Sequence, residues 1–391
     1  MPSHLMNTYA RLPVAFARGE GVWLYDQAGR RYLDALAGIA VSGLGHAHPR
    51  LVRAIAEQAA RVIHTSNLYE IPLQSELAGR LCELAGMDEA FFCSSGAEAN
   101  ECAIKLARLY GHRNGVPNAA IVVMEKAWHG RTLATLSATG SRKAQAGFEP
   151  LVPGFVRVPY GDEAAIRHAA DANPNIVAVL LEVLQGEGGI NVAAPGYVQA
   201  LRRICDERRW LLMIDEVQSG IGRTGRWFGF QHAGIRPDVI TLAKGLGSGV
   251  PIGACIAAGP AAGVFTPGTH GSTFGGGPLA CAAALATLAA IADERLLENA
   301  ARIGDCLRGA LREALAGVPG VTAVRGLGLM IGIELDRPCS ELAARALEAG
   351  LLINVTADKV IRLLPPLVIG EAEARELVTR LAAIVRSFLG P

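Results

Sequence analysis

Lysine is scarce in this sequence. Five occur, at 105, 126, 143, 244 and 359, so a lysine placed for chemistry stands against a thin background. Net charge is +1 and both signs are scattered along the chain, which excludes the electrostatic footprint of a nucleic-acid or anionic-membrane partner. The eight cysteines, at 82, 93, 102, 205, 255, 281, 306 and 339, include no CxxC pair. That pattern excludes a zinc ribbon or a disulfide framework, and no metal is expected. Reduced thiols fit a cytoplasmic location. Met1 to Arg18 carries His4, Arg11 and Arg18 and no apolar core, so nothing there directs export. The longest weakly polar run, Pro278 to Ala292, includes Thr287 and is shorter than the roughly 20 residues of a membrane span. It reads as a buried helix. Repeats, low-complexity tracts and flexible linkers are absent as well.

What is present is apolar and long. Hydrophobic residues make up 51% of 391 positions, enough for one large domain and a smaller one. Short apolar runs, Ile121–Met124, Ile176–Leu181, Trp210–Ile214, Val239–Leu242 and Ile252–Ile256, alternate with helical patterns. This predicts an α/β domain whose mostly parallel sheet is covered on both faces. A helix is expected to start near Ala97, after Ser94-Ser95-Gly96. Beyond Leu296 the pattern becomes an amphipathic helix, a pair of strands around Gly326 and Gly328, and a last helix carrying Leu377, Leu381, Ile384 and Phe388, which predicts an α+β lobe. The N-terminal stretches Gly21–Asp26 and Arg30–Leu33 flank a turn and read as a hairpin joining that lobe.

Lys244 alone among the lysines ends an apolar strand and opens a glycine-rich stretch, Gly245 to Gly249. Carboxyl ends of sheet strands are where α/β folds place ligands, and a desolvated lysine there can form a Schiff base. Asp215 follows another apolar strand and suits a pyridine nitrogen that must stay protonated, with Gln218 available to a ring hydroxyl. Ser95, Gly96 and Ala97 open a helix, where backbone amides can hold a phosphate. Trp128 can stack on a planar cofactor, and Arg131 can grip a carboxylate through two parallel hydrogen bonds. Taken singly, each has a plainer explanation: a strand-end lysine in solvent, an acidic loop start or, less well supported without a second ligand cluster, a metal-binding Asp, a serine cap, a surface aromatic, a surface arginine. His46, His48 and His129 read as structural histidines.

In combination, Ser95-Gly-Ala-Glu-Ala-Asn-Glu101, His129-Gly-Arg-Thr132, Gln185-Gly-Glu-Gly-Gly189, Asp215 to Gly225, Ala243-Lys-Gly245 and His270-Gly-Ser-Thr-Phe-Gly-Gly276 resemble, in order, the class III, ornithine-aminotransferase-like, pyridoxal-phosphate aminotransferases. The likeness spans nearly the whole chain. It implies the aspartate-aminotransferase type of pyridoxal-phosphate transferase fold (fold type I). That fold has a large domain at 56–275 with a mostly parallel seven-stranded sheet, and a small α+β domain built from 1–55 and 276–391. It implies pyridoxal 5'-phosphate on Lys244, Asp215 at the pyridine nitrogen, Gln218 at the ring oxygen, Gly96 and Ala97 at the phosphate, and Trp128 over the ring. It implies a homodimer with shared active sites, Thr273 reaching the partner's phosphate and Ser272 lying near substrate.

Arg131 would take a distal carboxylate, while Glu187 would mask Arg362 until glutamate arrives. The segments Gly350 to Thr356 and Val360 to Pro366 resemble the acetylornithine subgroup. The implied reaction moves the δ-amino group of N2-acetyl-L-ornithine to 2-oxoglutarate, giving N-acetyl-L-glutamate 5-semialdehyde and L-glutamate in arginine biosynthesis. Departures from the family pattern include Trp128 in place of phenylalanine, Ser94 in place of asparagine, and Glu182-Val183 without the proline after the glutamate. Transamination of ornithine, succinylornithine or 4-aminobutyrate is the rival reading within the family. Outside it stands a non-catalytic α/β protein that binds an anion or a nucleotide.

Overall fold

The computed structural model describes residues 4–390. Its centre is a seven-stranded sheet in the spatial order Glu89–Cys93, Gly253–Ala257, Val239–Leu242, Leu211–Asp215, Ile176–Leu181, Ala120–Met124 and Phe155–Val158. Every residue of the strands 253–257, 239–242, 211–215, 176–181 and 120–124 is buried. Continuous apolar runs, not alternating ones, are what a sheet covered on both faces requires. Six strands share one direction. Gly253–Ala257 runs antiparallel to both its neighbours, a reversal that an unbroken apolar run does not encode.

Register gathers chemistry at one edge of this sheet. Asp215 lies opposite Thr241, and Ile214 lies opposite Leu181. The residues just past these pairs, Lys244, Glu182 and Val217, therefore leave the sheet at the same carboxyl end, and Val123 opposite Leu180 brings the chain toward Trp128 there too. The helix Gly96–Arg113 crosses beneath, burying Ala99, Asn100, Ala103 and Ala107.

The C-terminal part holds a four-stranded antiparallel sheet in the order Val321–Leu327, Met330–Leu335, Val360–Leu363, Asn354–Thr356. The helix Leu296–Ala314 packs on it, and the helix Glu371–Leu389 packs on that helix. The N-terminal hairpin Trp23–Asp26 with Arg31–Asp34 joins this end of the molecule, because Leu33 pairs with Leu351 in parallel. The Ala-rich run is the helix Pro278–Asp293. Among the described residues no helix is long and apolar enough to cross a membrane.

Candidate active site

A cavity of about 420 Å³ opens at the carboxyl edge of the large sheet, lined by Gly96, Trp128, Glu182, Asp215, Gln218 and Lys244 among others. Ser95, Ala97, Asn100, His129 and Arg131 line it as well.

Asp215, only 3% exposed, accepts three hydrogen bonds. Asn100 Nδ2 and His129 Nδ1 each lie 2.8 Å from its Oδ2, and the backbone N–H of Val217 lies 3.0 Å from Oδ1. Asn100 is itself fixed, accepting from Thr241 Oγ1 at 2.8 Å and donating to the His129 carbonyl at 2.8 Å. The carboxylate is thereby aimed by the helix beneath the sheet and by the neighbouring strand. His129, a structural histidine by its sequence context, is structural in this specific sense. Asn100 was missed; its signal is a polar residue on the sheet-facing stripe of an otherwise Ala-rich helix.

Lys244 follows the strand Val239–Leu242 with a left-handed φ of 46°. Its amine has no hydrogen-bond or ion-pair partner among the described residues. Burial pushes it below the ordinary lysine value, against the pull of Glu187, Asp215 and Glu182 upward and with Arg362 lowering it further. A free amine with a weakened hold on its proton is what Schiff-base chemistry needs.

Ser95 caps the helix Gly96–Arg113: its Oγ accepts from Glu98 N at 3.2 Å, and Glu98 Oε2 reaches back to accept from Ser94 N at 2.9 Å. The first-turn amides at Gly96 and Ala97 then face the cavity with no partner inside the helix. A side chain at Gly96 is barred, because a Cβ there would lie 2.7 Å from Val217 Cγ1. The residues present thus fit a flat ring with an aldehyde and a phosphate. An unpartnered amine, a fixed carboxylate, an indole and a helix N-terminus share one cavity.

Trp128 is half-buried, and the Arg131 guanidinium lies 4.6 Å from its ring centroid. The other expected carboxylate receptor sits beyond Gln218. Arg362, fully buried on the strand Val360–Leu363, donates Nη1 to Glu187 Oε1 at 2.5 Å and to Gln218 Oε1 at 3.1 Å, and its Nε donates to Asn354 Oδ1 at 3.1 Å. Its Nη2 is buried without a partner. Gln218 therefore serves the arginine as well as lining the cavity, a link not read from sequence.

Glu182 was also missed as a site residue. Its two oxygens accept from the backbone N–H groups of Trp128 at 3.0 Å and Gly186 at 3.1 Å, so one buried carboxylate ties the Trp128 backbone to the turn carrying Glu187. Burial and the neighbouring Asp215 push its pKa up to about 7. Ser272 and Thr273 are not brought to this cavity within the one chain. They lie in the loop before the helix Pro278–Asp293, where Asn67 Nδ2 donates to the Ser272 carbonyl at 3.0 Å and Thr273 is exposed. Among the described residues no group of three or more His, Cys, Asp or Glu side chains gathers as a metal site would.

Comparison with known proteins places these features in company. Residues 5–385 match the family model for class-III aminotransferases. The chain is 64% identical over 389 residues to acetylornithine aminotransferase 1 of Bordetella bronchiseptica, covering 100% of this chain and 99% of that one. It is 60% identical over 387 residues to acetylornithine aminotransferase of Nitrosomonas europaea, covering 99% and 98%. Among solved structures, ornithine aminotransferase from Toxoplasma gondii superposes with a TM-score of 0.94 at 35% identity, covering 97% of this chain and 92% of the other. Acetylornithine aminotransferase from Elizabethkingia anophelis gives 0.87 at 35% identity, covering 98% and 96%.

Proposed function

Because this chain belongs to the class III aminotransferases, enzymes that depend on pyridoxal 5'-phosphate, we propose that it transfers the δ-amino group of N2-acetyl-L-ornithine to 2-oxoglutarate, giving N-acetyl-L-glutamate 5-semialdehyde and L-glutamate. When bound, pyridoxal phosphate supplies an aldehyde that carries nitrogen between substrates and a pyridinium ring that takes up the electron pair of a deprotonated carbon. Lys244 would hold the cofactor through its amine and, when free, would move a proton from the substrate carbon. Asp215 keeps a proton on the ring nitrogen, and Asn100 and His129 keep Asp215 aimed. Gly96 and Ala97 offer amides to the phosphate, with Ser95 capping the helix, and Trp128 covers the ring.

The observation that carries the two-substrate reading is the fully buried Arg362 paired with the partly exposed Glu187, with one guanidinium nitrogen unpartnered. N-acetylornithine and glutamate each present a carboxylate far from the reacting nitrogen, which suits Arg131. Only glutamate presents a second one close by. An arginine neutralised by a displaceable carboxylate serves both substrates without leaving a buried charge uncompensated. The identities of 64% and 60% to acetylornithine aminotransferases support the same donor.

A homodimer with shared sites is part of this reading. Leu68, Tyr69 and Phe274 are 86%, 70% and 68% exposed. Leu68 and Tyr69 follow Asn67, which holds the Ser272 carbonyl, and Phe274 follows Thr273, so exposed apolar side chains of the kind that a partner subunit covers lie along this loop. We also place the enzyme in the cytoplasm, in arginine biosynthesis, on its unpaired cysteines and this reaction. A domain division at 55/56 would cut the helix Pro49–Ala59, so the cofactor domain is proposed to begin at that helix.

The test is a half-reaction. Holoenzyme mixed with N-acetylornithine, ornithine or 4-aminobutyrate should lose its cofactor colour fastest with the first. Faster bleaching by ornithine would move the assignment within the family. A Lys244 that borohydride fails to link to the cofactor would remove it altogether.

A further inference from the structure

Glu187 faces two ways. One oxygen holds Arg362, and the side chain, about a third exposed, also lines a second cavity of about 1160 Å³ beside the turn. The backbone of that turn is held fast. Gly186 N donates to Glu182 at 3.1 Å, the Glu187 carbonyl accepts from Thr356 Oγ1, and the Gly189 and Ile190 carbonyls accept from Arg325 at 2.6 and 2.9 Å. Gln185 Nε2 donates to the Glu125 carbonyl at 2.8 Å. If glutamate is to reach Arg362, the Glu187 carboxylate must leave by side-chain rotation on a fixed backbone, and the open volume beside it is this cavity.

A carboxylate that gives up an arginine in a partly buried place needs another partner. Four cations line the cavity: Lys126, Lys143, Arg325 and Lys359. Glu334 engages two of them, Arg325 at 2.5 Å and Lys359 at 2.7 Å. Lys143 stands on the separate short helix Arg142–Gln145. Lys126 lies against the turn itself: a Cβ on Gly188 would be 2.6 Å from the Lys126 carbonyl and 3.1 Å from its Cβ. Among the described residues its amine has no hydrogen bond or ion pair.

Its backbone is also in the left-handed region, φ 60°, which costs a lysine about 1 kcal/mol and a glycine almost nothing. What a lysine adds at that position is its ammonium group.

Resting on the switch reading above, we propose that Lys126 receives the Glu187 carboxylate when it leaves Arg362, so that Lys126 is a specificity-determining residue acting on the glutamate half-reaction alone. Lys126 is exposed, so the pair it forms is partly screened and the effect is modest. Lys126→Met in the holoenzyme should lower kcat/KM for glutamate about fivefold and leave the N-acetylornithine half-reaction unchanged. Lys126→Arg should restore it. In a Glu187→Gln background, Lys126→Met should have no further effect on glutamate, an outcome that a general structural role does not give.

Lys126→Gly guards against a folding artefact, since it relieves the backbone cost and should lose glutamate activity all the same. Equal losses in both half-reactions, or no loss with glutamate, would overturn the proposal while leaving the switch standing. A Glu187→Gln enzyme whose preference between the two donors is unchanged would overturn the switch, and this proposal with it.

Discussion

Glu187 and Arg362 stand 175 positions apart in the chain and meet at 2.5 Å, with the guanidinium wholly buried and its Nη2 unpartnered. The strand Val360–Leu363 delivers the arginine from the C-terminal sheet. The turn between the paired strands Leu184–Gln185 and Asn191–Val192, a separate two-stranded sheet, delivers the glutamate. A buried cation with one carboxylate partner and one unused nitrogen is poised for a second carboxylate.

That poise sets the first prediction. Arg362→Gln removes the receptor for the near carboxylate, which only glutamate and 2-oxoglutarate carry. Single-turnover kcat/KM with glutamate should fall on the order of 100-fold, as expected for losing a charged hydrogen-bonded pair, with a much smaller change for N-acetylornithine. Comparable losses with both donors would mean that Arg362 supports the fold and not the choice of substrate.

Asp215 carries the second prediction. Asparagine at 215 keeps the shape but cannot hold a proton on the ring nitrogen. Asp215→Asn should lower kcat on the order of 100-fold or more and change KM far less. Asn100→Ala, which removes one of three donors and the tie to Thr241, should cost about tenfold and shift the pH dependence of cofactor absorbance in the same direction as Asp215→Asn. If Asn100→Ala lowered thermal stability while leaving that absorbance profile alone, its role would be packing.

Much of this arrangement was legible in the sequence, for reasons that differ by residue. Lys244 and Asp215 each follow an apolar strand directly, so a local pattern locates them at the sheet edge. The helix start at Gly96 is written in its serine cap. Glu187 and Arg362 were paired only through family resemblance, since nothing local marks a contact between segments 175 positions apart. Asn100 and Glu182 escaped because a buried polar residue is recognisable only once the register shows what it faces: Thr241 and Asp215 for the one, the amides of Trp128 and Gly186 for the other. The reversal of Gly253–Ala257 escaped because a fully buried strand reads the same in either direction.

The third prediction concerns pH. Burial pushes Glu216 up to about 7, against hydrogen bonds from Ser219, Gly229 N and Phe230 N and with Asp215 raising it further. Glu182 is raised in the same way by burial and Asp215. A carboxyl that ionises less readily folded than unfolded favours folding while it is protonated. That contribution is whole below the ordinary value of 4.5 and is lost as pH rises through about 7. Folding of the cofactor-free protein should therefore take up protons in this window, and thermal midpoints should fall as pH rises across it. Glu216→Gln should flatten the slope. A slope identical to that of the parent would assign the pH dependence to other groups.

The fourth prediction follows from Arg131 lying 4.6 Å from the Trp128 ring centroid. Arg131 is exposed, so without the indole its guanidinium would sample many rotamers, and a carboxylate arriving from solvent would have to order it. Stacking on the ring presets one of them, a contact worth about 0.5–1 kcal/mol at an exposed position, or roughly two- to fivefold in affinity. Trp128→Leu should raise KM for N-acetylornithine and for glutamate by that factor together, since both present the distal carboxylate. Trp128→Phe, which keeps an aromatic face, should recover most of it. The joint effect separates this residue from Arg362, whose loss is confined to one donor. If KM changed for glutamate only, the distal carboxylate would be held elsewhere, and Arg131 would be an ordinary surface arginine.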